Sequence, residues 1–222
     1  LSFSFDDFKK LDPKNLHLPG WDESYTSEEL NSLLDEYKNI SHEQLFDNLV
    51  YFLNKIIPVC DELDVKMAIH PDDPPMDIFS LPRIISTEED LDKLFDAVKS
   101  TNNGLTFCTG SLGARKDNDL VKMADKYSRA NRIHFAHLRN ICYTDNNNSF
   151  YESGHYSKTG SLPINEIVHV LVKNHFDGYV RPDHGRNIFG ENKKPGYGLF
   201  DRALGCAYIN GLFEAYQDLE DK

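Results

Sequence analysis

His70, Cys108, His137 and Asp183 offer two imidazoles, a thiol and a carboxylate, the side chains with which proteins hold divalent metal ions. They stand 38, 29 and 46 residues apart, far from the tight spacing of a zinc finger. Each instead closes a short apolar run: VKMAIH (65–70), LTFC (105–108), RIHFAH (132–137) and GYVRPD (178–183). A site built from one residue per successive strand requires such spacing. Recurrence at the same place in four units favours ligands over a merely buried cysteine or a histidine that only satisfies a carbonyl. His134 rivals His137, but side chains three apart on a strand point to opposite faces, so only one looks into the site. His137 is nearer the strand's C-terminal end and is the expected ligand. Donor softness alone points to Zn²⁺, Fe²⁺ or Co²⁺. Because four protein ligands can close a tetrahedral site, catalysis there needs a metal that expands its shell or a ligand that gives way.

The elements that position these residues alternate. The four runs predict strands, and each is followed by a helical pattern: about Glu88–Val98 behind the capping box Thr87…Asp90, then DLVKMADKYSRA, INEIVHVLVKNH after a long polar loop, and LFDRALGCAYINGLFEAY. Upstream, Ser27 is expected to cap EELNSLLDEYKN. An amphipathic helix spans about His42–Leu63, with Leu45, Leu49, Phe52, Leu53 and Ile56 as its apolar stripe and Pro58 near its end. Alternating strands and helices imply a parallel sheet. Reactive residues at nearly every strand end favour a TIM-type (β/α)₈ barrel over an open doubly wound sheet. Four βα units supply half of eight strands, and the chain opens on Leu1. The expectation is therefore a single domain over residues 1–222, forming the C-terminal part of a barrel incomplete in this chain.

Bulk properties narrow the function. The net charge of −12 opposes binding to a phosphate backbone, so nucleic acid is not expected as a substrate. No apolar run approaches a membrane span of about 18 residues. Four cysteines in 222 residues, without close spacing, suit a reducing compartment, and a cytoplasmic location is expected. Cys60, Cys142 and Cys206 read as packing, and His17, His42, His169 and His175 as helix or loop residues.

Dense polar loops surround the four residues. AIHPDDPP, FCTGSLGA, HFAHLRN, GYVRPDHGR and PGYGLFDRALGCAYINGL resemble the motifs of the mannonate dehydratase family, over about Leu18–Glu214. The resemblance implies a xylose-isomerase-like barrel and the dehydration of D-mannonate to 2-dehydro-3-deoxy-D-gluconate and water in hexuronate catabolism. It also implies Mn²⁺ as the metal, with the ligands falling on His70, Cys108, His137 and Asp183.

For proton transfer the candidates are His184, beside a ligand, and Tyr197, in a Gly-flanked loop. Arg139, Arg181 and Arg186 are candidates for gripping the carboxylate of a small anionic sugar acid. His155, with Tyr156 and Lys158, could reach its hydroxyls. GSLGA (110–114) could offer backbone N–H groups to an anion. The alternatives are a metal-dependent sugar isomerase or epimerase on the same barrel, or an inactive metal-binding fragment; a homo-oligomer is compatible with either.

Overall fold

The computed structural model describes residues 1–10, 26–144 and 149–220. The irregular lead-in expected around Pro13, Pro19, Gly20 and Trp21, and His17 with it, lies outside them. Strand β1 (Ser2–Phe3) and the one-turn helix α1 (Phe5–Phe8) precede helices α2 (Ser27–Tyr37) and α3 (His42–Leu63). The cap of α2 is Thr26 rather than Ser27: its hydroxyl accepts from Glu29 N–H while the Glu29 carboxylate accepts from Thr26 N–H. In α3, Leu53 is buried as expected and Leu49 and Ile56 pack half-buried against the core, but the other buried residues are Phe46, Ile57 and Cys60, and Phe52 is exposed. The helix runs on through Pro58 and ends at Asp64, whose left-handed backbone (φ 52°) turns the chain so that the following N–H, that of Val65, also reaches the Cys60 carbonyl, at 2.9 Å.

Strands and helices then alternate: β2 (Met67–Ile69), α4 (Glu88–Ala97), β3 (Asn103–Cys108), the short α5 (Thr109–Gly113), α6 (Leu120–Arg129), β4 (Ile133–His137), β5 (Ile141–Tyr143), β6 (Phe150–Glu152), α7 (Ile164–Lys173), β7 (Tyr179–Arg181) and α8 (Leu199–Glu220). The expected capping box Thr87…Asp90 is present at α4. Strands β2, β3, β4 and β7 form a parallel sheet whose spatial order is the chain order, without the reversal that marks a doubly wound sheet. Strand β3 is buried along its whole length, as a central parallel strand covered on both faces must be. The helices also neighbour one another in chain order. Lys126 and Tyr127 of α6 reach Glu88 and Asp92 of α4, and α7 packs between α6 and α8. Leu91, Leu94, Leu105, Phe107, Met123, Ile164, Ile167 and Leu171 are fully buried in the single core between these layers.

The stretch expected to be a long polar loop after β4 contains a second sheet. Strands β5 and β6 pair antiparallel, and β1 adds to the outer edge of β6. Three-residue strands leave too little alternation to be seen in a sequence. This sheet folds over the C-terminal ends of the parallel strands, and it carries Glu152 to the residues that follow β4 and β7. Among the described residues, no helix is long and apolar enough to cross a membrane.

Candidate metal centre

Cys108 and His137 close β3 and β4 side by side, paired in register. A bulge makes this so: Leu105 pairs with Ile133 and Thr106 with Phe135, leaving His134 as the extra residue. The His134 ring lies against Gly104, where a Cβ would be 2.2 Å from its Cδ2, and donates from Nε2 to the Thr101 carbonyl at 2.8 Å. It is therefore turned away from the strand ends, as parity predicts. His70 stands one residue past β2, and Asp183 stands two past β7, in a left-handed backbone (φ 62°), so neither is the last residue of its strand as expected.

The ligand atoms of His70, Cys108 and His137 lie within 4.8 Å of one another. Asp183 approaches two of the three: its Oδ1 is 3.5 Å from His137 Nδ1 and its Oδ2 is 3.8 Å from Cys108 Sγ. Arg181 donates to Asp183 Oδ1 at 2.6 Å, and Ser111 donates to Cys108 Sγ at 3.1 Å. His70 donates from Nδ1 to the Pro71 carbonyl at 2.7 Å, which leaves Nε2 with a free lone pair. Cys108 and His137 are buried and His70 is exposed, so the cluster opens to solvent on the His70 side.

Three observations make the donor set suit a divalent cation. Both ring nitrogens of His137 are buried without a hydrogen-bond partner, which costs about 1–3 kcal/mol per group unless something else takes the lone pair. Burial lowers the His137 pKa to about 4, so the ring is neutral and able to ligate at neutral pH. Burial, and then the Asp183 charge, push the Cys108 thiol up to about 12, an anion that only a nearby cation would favour. Burial raises Asp183, but His184, His137, Arg139 and Arg181 together hold it below the ordinary carboxylate value.

Beside the cluster runs a chain of charges whose middle members, Arg139 and Glu152, are buried. Arg139 donates to Asp73 Oδ2 at 2.5 Å and, through its other terminal nitrogen, to Glu152 Oε1 at 2.7 Å. The same Glu152 oxygen accepts from His184 Nδ1 at 2.8 Å, and His184 Nε2 lies 3.8 Å from Asp183 Oδ2. The sequence gives neither Asp73 nor Glu152 a role of its own, although both stand in dense polar loops, HPDDPP (70–75) and ESGHYSKTGS (152–161). Arg139 is thus occupied by two protein carboxylates. Burial lowers its pKa, but Asp73 and Glu152 raise it further.

The remaining expected site residues are spread out. Arg186 is tied to Asp201 by its backbone N–H, Nε and a terminal nitrogen, at 2.8, 2.9 and 3.1 Å. His155 is buried, with Nε2 3.9 Å from Asp201 and its ring against Gly205 of α8. The half-exposed ring of Tyr197 has Lys194 and Arg202 over it, while Gly196 brings its loop against the His184 ring. GSLGA forms the short α5, and its glycines serve packing: Gly110 makes room for Arg139, and Gly113 for Leu162 and Leu120.

Comparison with known proteins places this arrangement. Residues 5–222 match the family model described as D-mannonate dehydratase (UxuA). The chain is 50% identical over 219 residues to the mannonate dehydratase of Oceanobacillus iheyensis, covering 98% of this chain and 62% of that one. It is 50% identical over 205 residues to that of Thermotoga maritima, covering 92% and 56%. The crystal structure of mannonate dehydratase from Streptococcus suis serotype 2 superposes with a TM-score of 0.82 at 44% identity, over 86% of this chain and 55% of that one. The chain therefore spans less than two thirds of the length of these relatives.

Proposed function

The chain belongs to the D-mannonate dehydratase family, and on that premise we propose that it is a metal-dependent lyase converting D-mannonate into 2-dehydro-3-deoxy-D-gluconate and water. The observation that carries this reading is the convergence of His70, Cys108 and His137, with Asp183 against two of them, at the ends of adjacent parallel strands. We read the sheet as four consecutive strands of a (β/α)₈ barrel. Its unreversed strand order and the chain-order neighbourhood of α4, α6, α7 and α8 support that reading.

His70, Cys108, His137 and Asp183 would hold the ion, which we take to be Mn²⁺; the donor set also suits Fe²⁺, Co²⁺ or Zn²⁺. When bound, it supplies Lewis acidity toward the substrate's carboxylate and hydroxyl oxygens. The reaction removes the proton on C2, expels the C3 hydroxyl as water, and leaves an enol that becomes the 2-keto acid. His184 and Tyr197 are the acid–base pair, one taking the C2 proton and the other protonating the departing hydroxyl. Arg181, exposed over half its side chain and next to Asp183, is free to swing its fork onto the substrate carboxylate, whereas Arg139 is committed to Asp73 and Glu152. The buried thiol in the cluster argues against the isomerase alternative, whose sites rely on several carboxylates. Incubation of the metal-loaded protein with D-mannonate should produce the 2-keto-3-deoxy acid, detectable by a colorimetric keto-acid assay. An intact, metal-loaded protein giving none would refute the proposal.

A further inference from the structure

We infer that Glu152 is a positioning residue that fixes the His184 ring as its Nδ1–H tautomer and aims Nε2 at the Asp183 side of the metal cluster. One oxygen, Glu152 Oε1, accepts from both His184 Nδ1 at 2.8 Å and Arg139 at 2.7 Å. Arg139 cannot drift, because its other arm is on Asp73 at 2.5 Å and its stem fills the space over Gly110. Glu152 is 8% exposed and Arg139 4%, so water does not compete for these bonds. The chain draws one residue from each of four segments: the loops after β2, β4 and β7, and the end of β6. With Nδ1 occupied, the ring can exchange a proton only through Nε2, which faces Asp183 at 3.8 Å. Burial raises the Glu152 carboxyl, but the His184 hydrogen bond and the Arg139 charge hold it below the ordinary glutamate value, so it stays an acceptor at neutral pH.

This inference rests on the acid–base role proposed for His184 only in its kinetic consequence. The tautomer is tested by ¹⁵N-histidine NMR of the full chain without added metal, with His184→Gln assigning the signal. The wild type should show Nδ1–H at His184. Glu152→Met removes the acceptor, and Glu152→Met with Arg139→Met replaces both partners by apolar chains of similar length, so that a folded protein is retained if the single variant fails. Folded variants should lose the Nδ1–H preference, keep wild-type Mn²⁺ content, and show kcat lower by about 10–100-fold with KM changed less than about threefold. An Nε2–H wild-type ring, or a folded variant with the tautomer and kcat unchanged, would overturn the inference. If the wild type shows Nδ1–H and the variants lose it while no protein turns over D-mannonate, the positioning role stands and the dehydratase reading falls.

Discussion

The space a side chain would occupy at Gly110 is filled by the stem of Arg139: a Cβ there would lie 2.3 Å from Arg139 Cδ and 2.7 Å from its Cγ. Arg139 needs this path because its two arms must reach Asp73 and Glu152 from a fully packed position. Gly110→Ala should push the guanidinium off both carboxylates and cost about 1–3 kcal/mol. Gly211, inside α8 with nothing near its missing Cβ, provides the contrast. There, alanine should stabilise by up to about 1 kcal/mol, the propensity difference of an open helical site. Urea unfolding of the two variants checks both signs; equal effects would refute the packing account.

The purified wild type should bind about one Mn²⁺ per chain, measured by elemental analysis after dialysis. Cys108→Ser keeps the size of the side chain but replaces a thiol by a hydroxyl that does not ionise, and Asp183→Ala removes the carboxylate. Each should reduce bound metal to a small fraction of wild type while leaving the far-ultraviolet circular dichroism unchanged. Full retention in both variants would break the ligand set.

Much of this centre was legible because strand ends repeat: four apolar runs each closing on a reactive residue is a pattern in one dimension. Parity along one strand separated His137 from His134, and a bulge at His134 is what brings His137 level with Cys108. The charge chain was not legible. Glu152 meets His184 and Arg139 only because β5 and β6 turn back over the strand ends, and strands of three residues carry no readable period. Arg139 and Arg186 were visible as cations but not as cations already matched, since Asp73, Glu152 and Asp201 reach them through the fold. In α3 the apolar residues are dense enough to trace two neighbouring stripes, and only packing decides that Phe46 is buried and Phe52 exposed.

Asp201 is 2% exposed and receives three hydrogen bonds from Arg186, one from its backbone and two from its side chain. It therefore fastens the loop after β7 to the start of α8. Asp201→Asn leaves a half-exposed guanidinium without its counter-charge and weakens its hydrogen bonds, and should cost about 1–2 kcal/mol. The loss should appear as a lower urea midpoint with an unchanged slope; a midpoint within error of wild type would show that the pair contributes little.

Glu88 links α4 to α6, accepting from Lys126 at 2.8 Å and Lys122 at 3.1 Å. The Lys126 hydrogen bond, against a cost from burial, lowers its pKa from the usual 4.5. A carboxyl depressed in the folded state contributes stability above its unfolded value, and that contribution disappears as pH falls through the folded value. With a quarter of the Glu88 side chain exposed, the contribution is below about 1 kcal/mol. Glu88→Gln should be less stable than wild type at pH 6, and the difference should vanish near pH 3. A difference that is constant over this range would assign the effect to packing rather than charge.

Arg181 is the guanidinium beside the cluster with room to move: half its side chain is exposed, and its only carboxylate partner within the described residues is Asp183, at 2.6 Å. If it turns from Asp183 to the substrate carboxylate, removing it weakens substrate binding more than chemistry. Arg181→Ala should raise KM for D-mannonate about 10–100-fold, the worth of one charge-assisted hydrogen-bond pair, with bound Mn²⁺ retained. Arg181→Lys should recover little, because a single ammonium cannot reproduce the two parallel bonds of the fork. Were KM unchanged in both variants, the carboxylate would be held elsewhere, and Arg181 would be left with the one task the geometry already gives it, orienting Asp183 toward Cys108 and His137.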